Sequence, residues 1–185
     1  MLKKTLVTVS MLLCVTAGGT VFATPVVNNN ITEAEVKAAQ QAWGQALINI
    51  SVAYSTGGQA QAEKVARQVL DAAYGYNLGA VLFKPTLANG KQTFRTDYDG
   101  ALAYFVGGNK TYANDSGFAL KGWHGYDFTN AGVYINGDLA LTMGHVMLTD
   151  KAGKVTTVDK TWGFKKDEQG ALRIVLHHSS LPYSQ

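Results

Sequence analysis

Three turn signals divide the last third of the chain: Asn136-Gly137, Asp150-Lys151-Ala152-Gly153 and Asp167-Glu168-Gln169-Gly170. Asn-Gly between runs rich in β-branched and aromatic residues predicts a two-residue hairpin, and Asp followed three positions later by Gly predicts a tight turn. The segments they separate, Val133 to Ile135, Asp138 to Thr149, Lys154 to Lys165 and Ala171 to Ser180, then form an antiparallel meander. A chain that ends in such a meander must cover one face of the sheet with something else.

The cover is supplied upstream, where apolar residues recur every three to four positions. Val36, Ala39, Trp43, Leu47, Ile50 and Tyr54 lie on one side of a helix from Thr32 to Ser55, begun by the capping box of Thr32 and Glu35 and stopped at Gly57-Gly58. Gln59 to Tyr74 continues as a second helix, with Glu63 and Arg67 paired one turn apart. Ala80 to Phe83 predicts a short strand ending at Pro85, Asn89-Gly90 a turn before Gln92 to Arg95, and Asp97 to Val106 a third, short helix. Helices gathered before antiparallel strands define an α+β domain with helices packed on one face of a twisted sheet.

Composition narrows the function classes. The 185 residues carry 16 Lys+Arg against 13 Asp+Glu, and without Lys3 and Lys4 the balance is 14 against 13. Neither a nucleic-acid stripe nor a polybasic membrane patch can be built from that. Lys3 and Lys4, the apolar run Leu6 to Val15 and Val21-Phe22-Ala23 have the form of an export signal over residues 1–23, which leaves one domain over 24–185 and a secreted, periplasmic destination. The single Cys, Cys14, lies inside that leader, so the mature chain has no thiol for a disulfide, a nucleophile or a metal. Leu13 stands where a lipoprotein signal wants a small residue, which argues against an acyl anchor.

Strand periodicity places His177 and Ser179 on one face of the last strand, with His178 and Ser180 on the other. Counting simple four-residue turns sets Lys160 opposite His177 and His145 opposite Val158. Leu141, Met143, His145, Val158, Trp162, Val175, His177 and Ser179 then share a wall suited to a small-molecule pocket. The other face, with Val146, Leu148, Leu172, Ile174 and Leu176, also needs burial, which a dimer through the sheet would provide. A metal site built from His124, His145, His177 and His178 lacks His-x-His or His-Glu-x-x-His spacing. A Ser-His nucleophile at His177 and Ser179 lacks a Gly-x-Ser-x-Gly elbow.

Phe94-Arg95-Thr96, Gly100 to Gly108, Gly117-Phe118-Ala119-Leu120 and, most specifically, His177-His178-Ser179-Ser180-Leu181-Pro182-Tyr183 resemble the iota-class carbonic anhydrases. These are relatives of the SnoaL-type cyclases and of the association domain of calmodulin-dependent kinase II. The resemblance implies an NTF2-like cone, with helices in the concavity of a curved antiparallel sheet, a homodimer, and reversible hydration of CO2 to bicarbonate. It also implies that Thr86, Tyr104 and Ser179 hold bicarbonate in a pocket without metal; zinc or manganese is the alternative, since members differ in the metal dependence assigned to them. His177, on the face of Ser179, is added as a proton acceptor. Hydration takes a proton from an attacking water while negative charge grows on the CO2 oxygens, and hydroxyls that both donate and accept can orient the one and stabilise the other. A non-catalytic small-ligand module on the same cone, or a SnoaL- or ketosteroid-type lyase or isomerase with an acidic base facing the pocket, remain as other readings.

Overall fold

A computed structural model describes residues 29–184, so the export signal expected over residues 1–23 lies outside the described residues. Helix α1 spans Glu33–Ala73 and breaks at Gly58, whose φ of 69° and ψ of −163° no helix contains. The two helices expected from the sequence are thus the two limbs of one bent rod. The capping box forms: the Glu35 amide donates to Thr32 Oγ1 at 3.2 Å and the Thr32 amide to Glu35 Oε2 at 2.8 Å. Strand β1 (Leu82–Lys84) and helix α2 (Tyr98–Val106) follow. Asp97 caps α2 by accepting from the Gly100 amide at 2.8 Å. Gln92 closes a 3₁₀ turn, Gly90–Gln92, after Asn89.

Strands β2 (Trp123–Asn136), β3 (Leu139–Asp150), β4 (Val155–Lys166) and β5 (Leu172–Ser180) build the meander. The sheet order is β1-β5-β4-β3-β2, with β1 parallel to β5 and every other pair antiparallel. β2 extends ten residues further back than Val133, because bulges between Trp123 and Gly125 and between Asn130 and Gly132 disrupt the alternation that would mark it in sequence.

The register corrects the expected wall. Both Asp-x-x-Gly turns are three-residue loops: the Asp150 amide donates to the Lys154 carbonyl, the Asp167 amide to the Ala171 carbonyl, and Gly153 and Gly170 take φ of 80°. A glycine in the left-handed region closes a type I turn this way, and pairing shifts by one residue. Val146 rather than His145 therefore opposes Val158. Leu141, Met143 and His145 turn to the outside, while Val146 and Leu148 face the helices and are buried. On β5 an extra residue between Ile174 and Leu176 makes a bulge, so Trp162 rather than Lys160 opposes His177, and Lys160 opposes Ser179. That two-residue offset keeps His177, Ser179, Lys160 and Trp162 on the inner face, whereas Ile174 joins them inside.

Helices α1 and α2 fill the concavity. Trp43, Leu47 and Leu70 of α1 and Phe105 of α2 meet Val158, Trp162 and Phe164 of the sheet, all buried. Gly44 is where α1 crosses β2: the Tyr126 ring lies against its backbone and the Tyr126 hydroxyl donates to the Gln41 carbonyl at 2.7 Å. An alanine there ordinarily raises helix stability by about 1 kcal/mol. Here its Cβ would occupy the space of the ring, which the hydroxyl bond holds in place. Gly44→Ala is expected to lower stability by about 1–3 kcal/mol, measured by urea denaturation; a gain would show that the ring moves aside freely.

Candidate active site

The pocket is assembled from three distant parts of the chain at the edge where β1 joins β5. Pro85 ends β1 and turns the chain so that Thr86 faces β5, where Thr86 Oγ1 and Ser179 Oγ lie 2.7 Å apart. Both side chains are buried. Tyr104, on the inner side of α2, accepts a hydrogen bond from the Leu87 amide on its hydroxyl oxygen at 3.3 Å. Burial pushes the Tyr104 phenol up, opposed in part by hydrogen bonds to Leu87 and Thr86, so it stays neutral and can donate. The three residues singled out as holding bicarbonate therefore converge.

Aromatic rings fix their positions. Tyr104 stacks on Phe118 with centroids 5.4 Å apart and meets the Phe83 ring edge-on at 5.7 Å. A cavity of about 120 Å³ opens beside Tyr104, walled by Leu87, Asp115, Ser116, Phe118 and Lys121 among others. Arg95 organises this wall. Its guanidinium contacts Asp115 at 2.7 Å and 3.1 Å, its Nε donates to the Gln92 carbonyl, and its ring neighbour is Tyr112 at 4.2 Å.

His177 shares the face of Ser179, yet the two do not pair, so no Ser-His nucleophile is formed. His177 Nδ1 lies 2.8 Å from the Tyr74 hydroxyl and Nε2 lies 2.7 Å from Lys160 Nζ. Trp43 Nε1 donates to the same Tyr74 oxygen at 3.0 Å, and Phe83 stacks on the imidazole at 4.4 Å. Burial, with the neighbouring Lys160 and His178, holds the imidazole well below its ordinary pKa. A histidine so enclosed offers no nitrogen to solvent. The sequence sets Lys160 across from His177, but it carries no sign of the links to Tyr74 and Trp43 and leaves Lys160 out of the inner wall. One signal was present: Lys160 stands at inward spacing between Val158 and Trp162, an apolar alternation that a surface lysine would not interrupt.

The remaining histidines disperse. His145 pairs with Asp159 at 3.3 Å on the outer face, and His124 and His178 are exposed. Among the described residues no group of three or more His, Cys, Asp or Glu is placed to hold a metal ion. Asp138 pairs with Lys165 at 2.6 Å, also outside the pocket.

Comparison with known proteins decides the family. The model of the metal-independent carbonic anhydrases matches residues 34–181. The chain belongs to that family. A metal-independent carbonic anhydrase from Nostoc sp. is 58% identical over 162 residues, covering 88% of this chain and 79% of the relative. The crystal structure of an iota-carbonic anhydrase from a cyanobacterium, complexed with bicarbonate, is 57% identical and matches with a TM-score of 0.86 over 89% of this chain and 100% of that one. An NTF2-like protein from Pseudomonas putida, 13% identical with a TM-score of 0.52 over 83% of this chain and 88% of its own, shares the fold alone. The α+β NTF2-like cone and the family implied by the His177-His178-Ser179-Ser180 run thus stand, and the family's chemistry is metal-independent.

Proposed function

We propose that this chain catalyses the reversible hydration of CO2 at the Thr86, Tyr104 and Ser179 hydroxyls. The observation that carries the residue assignment is the 2.7 Å contact between Thr86 and Ser179 beside the Tyr104 phenol, inside a family of metal-independent carbonic anhydrases. A relative that binds bicarbonate supports the same substrate here. The two aliphatic hydroxyls share one hydrogen bond with each other, and an entering bicarbonate can replace it with two. Donors fixed in advance of reaction stabilise the charge that grows on the CO2 oxygens without reorganising. His177 sits behind them, tied to Lys160, and bears on the proton through that pair rather than through solvent. An acid-dependent lyase or isomerase is not favoured, because Asp159 and Asp138 meet His145 and Lys165 on the outer face and Asp115, in the cavity wall, is paired with Arg95. Stopped-flow CO2 hydration before and after exhaustive chelation tests the assignment. Activity is expected to survive chelation unchanged; activity restored only by added metal would overturn it.

The outer face of the sheet supports a homodimer. Tyr134, Leu141 and Met143 are 59%, 39% and 62% exposed and adjoin Leu176, an apolar patch of the kind that a second copy covers. Leu141→Glu with Met143→Glu is expected to convert a dimer to monomers in sedimentation velocity; a wild-type monomer at all concentrations would refute the interface. Export through a leader of residues 1–23 is proposed on sequence grounds, and recovery of mature protein beginning at Thr24 is the expected outcome of N-terminal sequencing.

A further inference from the structure

Lys160 is a buried amine that the hydroxyl cradle does not use. It is 3% exposed, and its Nζ lies 2.7 Å from His177 Nε2, 4.4 Å from the centroid of the Trp43 ring and 5.3 Å from that of Trp162. Among the described residues no carboxylate pairs with it. Its partners across the sheet are Gly144 on β3 and Ser179 on β5, the latter being the residue whose hydroxyl meets Thr86. A lysine in a core is costly to keep, and apolar side chains of its volume would pack there more stably. Its place next to Ser179 on the inner face gives it something to do.

We propose that Lys160 is the internal counter-ion and proton store of the pocket, a neutral amine against His177 before reaction and an ammonium while bicarbonate occupies the hydroxyl cradle. The proposal rests on the CO2-hydration reading above. The step balances: a water oxygen forms the new bond to carbon, one O–H bond of that water breaks, and its proton becomes the third N–H of Lys160, giving bicarbonate and ammonium from CO2, water and amine. The ammonium returns the proton to a water that takes the place of the anion in the cradle.

Its surroundings suit both forms. Burial drives the amine toward neutrality, well below the ordinary lysine value, whereas the two indole faces and His177 Nε2 receive the ammonium when it forms. The titratable groups facing it are His177 on β5, Tyr74 at the end of α1 and, behind Phe83, Tyr104 on α2. Burial raises both phenols, so neither supplies an anion. Lys84 reaches only the Ser179 carbonyl, at 2.9 Å from the edge strand. The imidazole and the amine disfavour each other's charge, so the pair takes up one proton rather than two.

A stability signature follows. An amine folded in its neutral form binds fewer protons than in the unfolded chain, so this group makes stability rise with pH up to the ordinary lysine value. In the wild-type protein, the ¹³Cε and ¹⁵Nζ resonances of Lys160, assigned along its side chain, are expected at neutral-amine positions at slightly alkaline pH. They should move to ammonium positions on saturation with bicarbonate at the same pH. Lys160→Met is expected to lose about 10²-fold or more in kcat/KM for hydration. It should keep or raise the thermal midpoint and lose its share of the rise with pH. A lysine kept only for packing would instead lose stability with activity, or leave the rate untouched. Ammonium resonances with and without bicarbonate, or a Met variant with the wild-type rate, overturn the proposal, and the resonances decide it if that variant does not fold. Wild-type protein that turns over no CO2 would instead overturn the reading beneath it, so the two failures are distinguishable.

Discussion

Tyr104→Phe and Ser179→Ala are each expected to lower kcat for CO2 hydration by about 10²-fold or more, with little change in thermal midpoint. Removing one preorganised donor from a site where negative charge develops costs about 10²–10³ in rate. Phenylalanine at 104 keeps the stack on Phe118 and the edge contact with Phe83, so the hydroxyl alone is deleted. Alanine at 179 removes a buried hydroxyl whose partner, Thr86, keeps its hydrogen bond with the Tyr104 phenol. Steady-state stopped-flow with both variants, alongside thermal melts, separates chemistry from folding. Tyr104→Phe at the wild-type rate would remove the phenol from the mechanism and leave the two aliphatic hydroxyls.

The largest effect on stability is expected at Arg95 and Asp115. Their side chains are 3% and 9% exposed and are joined by two short contacts, so deleting one partner strands a charge in the interior. Breaking such a pair from one side costs about 3–5 kcal/mol, a large part of the 5–15 kcal/mol that holds an ordinary domain together. Asp115→Ala should therefore shift the urea midpoint strongly downward. It should also slow hydration, because Asp115 and the adjoining Ser116 wall the cavity beside Tyr104. Arg95→Met with Asp115→Leu should recover much of the lost stability, since no charge is then left unpaired. Equal losses in the single and double variants would show that the ion pair is not what anchors the loop.

Local signals carried much of the fold into the sequence. The Thr32-Glu35 capping box, Gly58 and the Asp97 cap begin, break and begin again the helical segments where apolar spacing placed them. The two Asp-x-x-Gly turns also fall where those residues stand, whereas the first hairpin turns one residue later than Asn136-Gly137, at Gly137-Asp138, because Asn136 already pairs with Leu139. Register did not come through, because it depends on whether an Asp-x-x-Gly turn encloses three residues or four, and one residue reverses every side chain of a strand. His145 and Val146 exchanged faces for that reason alone. The bulge on β5 then hid the true partner of His177, and the two bulges of β2 concealed most of that strand.

The pocket was legible only through family resemblance. Thr86, Tyr104 and Ser179 stand far apart in the chain and share no spacing, and what joins them is the parallel pairing of β1 with β5. Tyr74 carried no local signal, since its hydroxyl meets His177 across 103 residues of sequence. Lys160 did carry one, an inward lysine between Val158 and Trp162.

The most direct test of the hydroxyl cradle is a crystal structure of the metal-free protein with bicarbonate. Bicarbonate oxygens within hydrogen-bonding distance of Thr86 Oγ1, Ser179 Oγ and Tyr104 Oη, with the Thr86-Ser179 contact opened to admit them, are the predicted result. Bicarbonate bound elsewhere, with that contact intact, would contradict the account.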